Sequence, residues 1–127
     1  MKRISSLYLF FGAEIVIAAS MGINESIFNN FLSDTFELTA EARGALEFPR
    51  ELPGFLVVLF AGILGALSLP RMGALAALVF AAGTAGLGLA GNSYGLVVAS
   101  MLVSSVGMHL NQPISHSLTI AMSEDDR

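Results

Sequence analysis

The chain has 127 residues, 54% of them hydrophobic and only 13% charged, with a net charge of −4 and a mean hydropathy of +0.73. A soluble domain carries about 25% charge and keeps one face of each surface helix for water, so this composition excludes that class. No basic patch supports a nucleic-acid partner, and zero cysteines exclude disulfides and thiolate metal sites.

From Met72 to Ser123 there is no Asp, Glu, Lys or Arg. About 20 apolar residues span the hydrocarbon of a bilayer, so this stretch alone predicts two crossings. The chain therefore reads as an all-α integral membrane protein with four transmembrane helices running up and down. Its first partner is the lipid bilayer.

The first helix is expected over about 5–31. Its start, MKRISSLYLFFGAEIVIAAS, has the basic and apolar regions of a signal peptide, but Glu14 interrupts the apolar part and no persuasive cleavage site follows. A polar connection, SDTFELTAEARG, leads to a second helix over 40–69, with Thr39 as N-cap and Glu41 in the first turn. Pro70-Arg71 is expected to stop it. The third helix spans 73–90, ended by Gly91-Asn92-Ser93, and the fourth spans 94–122 before the closing SEDDR. Lys2, Arg3, Arg71 and Arg127 fall on one side and Arg43 and Arg50 on the other, which places both termini in the cytoplasm.

The third helix has no chemistry of its own. Gly73, Ala77, Ala81 and Ala85 form one ladder of small residues, and Ala82, Gly86 and Ala90 another; in lipid such ladders let backbones approach closely.

Polar residues concentrate on the other three helices. On the second, Arg43, Glu47, Arg50, Glu51 and Gly54 fall within roughly 80° of one another, and Pro49 and Pro53 bend the helix beside them. A charge at the centre of a span costs at least ~2.5 kcal/mol, so this face must turn to protein or to a water-filled cavity. On the first helix, Glu14, Ala18, Met21, Glu25 and Asn29 share a face. At ~1.5 Å per residue Glu14 lies ~15 Å above the cytoplasmic end, while Glu25 and Arg50 lie at ~30 Å and ~28 Å. Glu25 and Arg50 are therefore expected to meet.

The fourth helix adds His109 and Gln112, with Asn111 alongside, Pro113 between and His116 two turns from His109. Two turns are ~10 Å, too far for the two histidines to hold one metal by themselves. His109 falls level with Glu14, and a histidine facing a carboxylate is the equipment of a proton relay. The expected solute and proton pathway is thus Glu14, Glu25, Asn29, Glu47, Arg50, Glu51, His109 and Gln112. No nucleophile elbow, phosphate-binding glycine loop or metal-ligand cluster is present, so neither an enzyme nor a cofactor is expected.

A basic start, a long first helix, the segment AEARGALEF and a sharp turn at LPRMG resemble the N-terminal part of a major facilitator superfamily transporter. The inner-loop signature of that family, GxxxD(R/K)xGR(R/K), is kept here at Arg71 and Gly73. Ala66 replaces its first glycine, Pro70 its aspartate and Ala74-Leu75 its basic pair. The arginine often found a turn before a glycine in the fourth helix of proton-coupled members is Val103 here. The resemblance implies an incomplete N-terminal six-helix half, with the first, second and fourth helices lining a central cavity. It further implies alternating-access transport of a small solute in the cell membrane, together with the missing remainder of the transporter; an expectation of proton coupling rests on Glu14 and His109 instead. Two alternatives stand beside it. One is a small multidrug resistance-like four-helix exporter with its glutamate at Glu14; the other is a non-transporting membrane scaffold or assembly subunit.

Overall fold

The computed structural model describes residues 2–65 and 67–124, without the side chains of 2–5, 58, 60, 61, 63, 64 and 124. Four helices follow one another: α1 (Lys2–Phe36), α2 (Ala40–Leu64), α3 (Leu69–Leu89) and α4 (Tyr94–Glu124). There is no strand among the described residues. By length and composition α1, α3 and α4 are each apolar enough to cross a membrane, α1 from Ser6 onward. α2 does not meet that measure.

Three boundaries differ from the sequence expectation. α1 runs past residue 31 to Phe36 because its last turns find aromatic partners. Phe36 packs edge-on against Phe31 at 6.0 Å and against Tyr94 at 5.4 Å. Glu37 then takes φ 52°, a left-handed conformation that ends the helix. Thr39 does cap α2, its hydroxyl accepting from the Ala42 N–H at 3.2 Å, and Arg43 donates to the Leu38 carbonyl at 2.8 Å.

α2 stops at Leu64 rather than near Leu69, where Gly62 and Gly65 weaken its end. Pro70 is not its terminator. It sits in the first turn of α3, whose N-cap is Ser68, and there the missing proline N–H removes no helical hydrogen bond. The position of the first signature glycine, Ala66, and the tail Asp125–Arg127 lie outside the described residues.

The frame of the fold is the α3–α4 pair. A methyl group at Gly83 would strike the Ser104 backbone, and one at Gly107 would strike the backbone of Phe80 and Ala76. At Gly86 it would meet Ser100 Oγ at 2.5 Å. The two backbones therefore touch, as lipid-embedded helices do where small residues replace the hydrophobic drive. The stripe is only partly the one the sequence suggested: Gly86 meets Ser100 and Ala90 is buried, but the rest of the contact is made by Met72, Ala76, Phe80 and Gly83, while Ala81, Ala82 and Ala85 are exposed.

Two apolar clusters flank this contact. Met72, Ala76, Leu110 and Ile114 form the lower one, with Val57 of α2 packed against it. Phe28, Leu32, Ala90, Val97 and Met101 form the other, which ties the C-terminal part of α1 to α4. None of the most apolar window of α1 is buried. This helix is fastened near its end and by polar contacts.

Candidate functional site

The part of α2 that holds Pro49 and Pro53 carries Arg50 inward, and Arg50 becomes the meeting point of three helices. Pro49 and Pro53 lack the N–H that would bond the carbonyls four residues earlier, which loosens the turns on both sides of it. The guanidinium Nη2 lies 2.7 Å from Glu25 Oε1 of α1 and donates a hydrogen bond to it. Within α2, Nε stands 3.0 Å from Glu47 Oε2, off the N–H axis, and Nη2 stands 3.7 Å from Glu51 Oε1. The Ser105 hydroxyl of α4 donates to the Arg50 carbonyl. The Arg50 side chain is only 13% exposed, while the carboxylates of Glu25, Glu47 and Glu51 are 50%, 38% and 47% exposed.

His109 extends the network across α4. Its Nε2 is buried, makes no hydrogen bond and lies 3.4 Å from Glu51 Oε2. Gly54 makes this position possible: a methyl group there would sit 3.0 Å from the imidazole ring. One guanidinium thus faces three carboxylates, leaving two negative charges in surplus when His109 is neutral and one when it is protonated. The small space beside Arg50, about 20 Å³, is bounded by Asn24, Phe28, Met101, Ser104 and Met108 among others. That is room for one water.

Glu14 stands apart. Its Oε2 accepts a 2.7 Å hydrogen bond from Ser115 of α4, and it lines a cavity of about 430 Å³ among α1, α3 and α4. The structure thus separates Glu14 from His109, which were expected to face one another. The reason is the pitch of α4. Ser105, His109, Gln112 and His116 follow one strip of that helix, and Ser104, Gly107, Asn111 and Ser115 follow the next. The first strip meets α2, then runs out to the exposed Gln112 and His116; the second faces α3 and Glu14.

Of the expected pathway, Glu25, Glu47, Arg50, Glu51 and His109 come together in one network. Asn29 and Gln112 do not join it, and Arg71 is exposed while Gly73 packs near Ile114 and Leu118. Ser105 and Ser115 were missed, whereas Gly54 was placed on the Arg50 face by its spacing and is where α2 admits the His109 ring. Ser105 was marked in sequence only by its four-residue spacing to His109, and Ser115 by the same spacing to Asn111. No group of three or more His, Cys, Asp or Glu among the described residues is arranged to hold a metal ion.

No family model, curated protein or solved structure matches the chain.

Proposed function

We propose that the chain is part of a secondary active transporter that moves a small solute across the cell membrane by alternating access. In this reading α2 is a fourth crossing, both termini are cytoplasmic, and α1, α2 and α4 wall the pathway. The observation that carries it is the Arg50 network. Charges on α2 that lipid cannot receive turn to α1 and α4, with their carboxylates still about half open. Half-open charges between helices suit a water-lined path better than a sealed core. The resemblance to the first helices of the major facilitator superfamily supports the same assignment.

A scaffold subunit is the reading favoured by one observation, the internal pairing of Arg50 around a space no larger than one water. Accessibility separates the two. Asn24→Cys and Met108→Cys line that space without joining the ion pairs. In sealed vesicles a membrane-impermeant thiol reagent should modify both, because an alternating pathway opens to water. If neither reacts in folded protein, the polar core is static and the scaffold reading replaces transport.

A further inference from the structure

His109 borders the Arg50 network without a hydrogen bond to it. Its side chain is 13% exposed, its Nε2 is buried, and Glu51 Oε2 stands 3.4 Å away. A buried polar atom left unpaired costs free energy, so its place calls for an explanation. Gly54 packs against the Nδ1 and Cε1 edge of the ring, so Nε2 is held toward Glu51.

Few groups face this imidazole. α2 supplies Glu47, Arg50 and Glu51, α1 supplies Glu25 beyond Arg50, and α4 supplies the uncharged Ser105 one turn earlier. α3 has no charged residue after the exposed Arg71 in its first turn. The other histidine, His116, is exposed two turns further along α4.

Glu51 is the movable member. It is about half exposed, and its two oxygens face different cations: Oε1 is 3.7 Å from Arg50 Nη2, and Oε2 is 3.4 Å from His109 Nε2. Arg50 holds its other partners closer, Glu25 at 2.7 Å and Glu47 at 3.0 Å. A neutral ring with its proton on Nδ1 turns a lone pair toward the Glu51 carboxylate, which repels it. A protonated ring turns an N–H toward the same oxygen, where a charge-assisted bond of roughly 2.7–2.9 Å forms. Closing that gap takes Glu51 from Arg50, which still keeps Glu25 and Glu47.

We propose that Glu51 is exchanged between Arg50 and His109, and that a proton on His109 sets its position. The proton reaches the pair from water past the exposed part of Glu51. With it, Glu51 and His109 tie α2 to α4. Without it, Glu51 returns to Arg50 on its own helix and the tie is lost. The α2–α4 joint is thus strengthened by acid, and it works in a scaffold as it does in a transporter.

An imidazole is the side chain that ordinarily changes charge between about pH 8 and pH 5, so the test compares about pH 8 with about pH 5.5. Double-variant cycles on the whole chain in mild detergent, unfolded by a denaturing detergent, separate this pair from every other titrating group. His109→Gln and Glu51→Gln should couple by about threefold to tenfold in the unfolding equilibrium at the lower pH, and not measurably at the higher. The upper figure is what one charge-assisted hydrogen bond supplies, and the exposure of Glu51 lowers it. Arg50→Ala and Glu51→Gln should show the opposite trend, coupling more strongly at the higher pH. His116→Gln should not couple to Glu51→Gln at either. Equal coupling of His109 and Glu51 at both pH values, or none at either, would overturn the proposal. NMR of isotope-labelled histidine decides it on the unaltered chain, whether or not these variants fold. At the lower pH the His109 Nε2–H should exchange with water at least about tenfold more slowly than that of His116, as a bonded proton does. Equal exchange at the two histidines would overturn the exchange of Glu51.

Discussion

Removing the Arg50 guanidinium leaves Glu25, Glu47 and Glu51 facing one another, with His109 as the remaining basic group beside them. Breaking one partner of a buried ion pair costs ~3–5 kcal/mol, because the other charge stays uncompensated. Arg50 is nearly buried, so the buried-pair cost applies to it, but its carboxylates are about half hydrated and recover part of their solvation. Arg50→Ala should therefore sit at the lower end, ~3 kcal/mol. Glu25→Gln keeps the side-chain shape and loses one charge-assisted bond, for ~1–2 kcal/mol. In the double variant that second loss should largely vanish, giving a coupling of ~1 kcal/mol or more. Arg50→Lys keeps the charge but cannot fork between Glu25 and Glu47, and should fall between parent and Arg50→Ala. Unfolding of the purified chain in mild detergent, titrated with a denaturing detergent and followed by circular dichroism, reads all four variants. Additivity within ~0.5 kcal/mol would mean that Arg50 and Glu25 act independently, and the network would lose its central contact.

Gly83→Ala and Gly107→Ala should each destabilise the fold by ~1–3 kcal/mol or more, since the new methyl meets the backbone of the facing helix. Gly88→Ala meets nothing and should be neutral or stabilising in the same titration. Gly54→Ala presses on the His109 ring at 3.0 Å and should shift the imidazole resonances in NMR, with only a small loss of stability; unchanged resonances would mean that α2 and α4 do not meet there. For the proposed topology, Glu41→Cys should react with an impermeant thiol reagent from outside and Asp125→Cys only after permeabilisation. Labelling of Asp125→Cys from outside would reverse or break the four-crossing arrangement.

Helix existence was legible because it depends on composition and caps that act locally. Thr39 located the start of α2, and Gly91-Asn92-Ser93 located the break before α4. The end of α1 was not legible, because Phe36 stays helical through Tyr94, a residue distant in sequence. The end of α2 was misread by giving Pro70 a stopping role, when a proline serves equally well in a first turn. Depth matching brought Glu25 to Arg50 correctly, since rise per residue fixes height. It brought Glu14 to His109 wrongly, since height says nothing about which strip of α4 a side chain occupies. Azimuth was set by packing: the close approach at Gly83 and Gly107 turns Asn111 toward α3 and Glu14, and His109 toward α2.

That azimuth bears on how α2 could enter a membrane at all. In the four-crossing topology, Glu47, Arg50 and Glu51 stand toward the outer half of α2, and each charge at a helix centre costs ~2.5–3.5 kcal/mol in insertion measurements. The apolar residues after Leu52 return only ~0.3–0.6 kcal/mol each, so α2 is near balance by itself. The balance tips through its neighbours, because Glu25 of α1 and Ser105 and His109 of α4 receive the charged face. α4 is the last of the four helices in the chain, and α2 precedes it. On this reasoning α2 settles fully only after α4 arrives, while the Glu25 contact holds it against α1 in the interval. Glu25→Gln should then lower the fraction of chains whose α2 is membrane-integrated. A chain ending before Tyr94 should show the same defect more strongly, read by protease protection of the 37–52 segment. Full integration of α2 in the chain lacking α4 would show that α2 inserts on its own hydrophobicity and that its charges are paired afterwards.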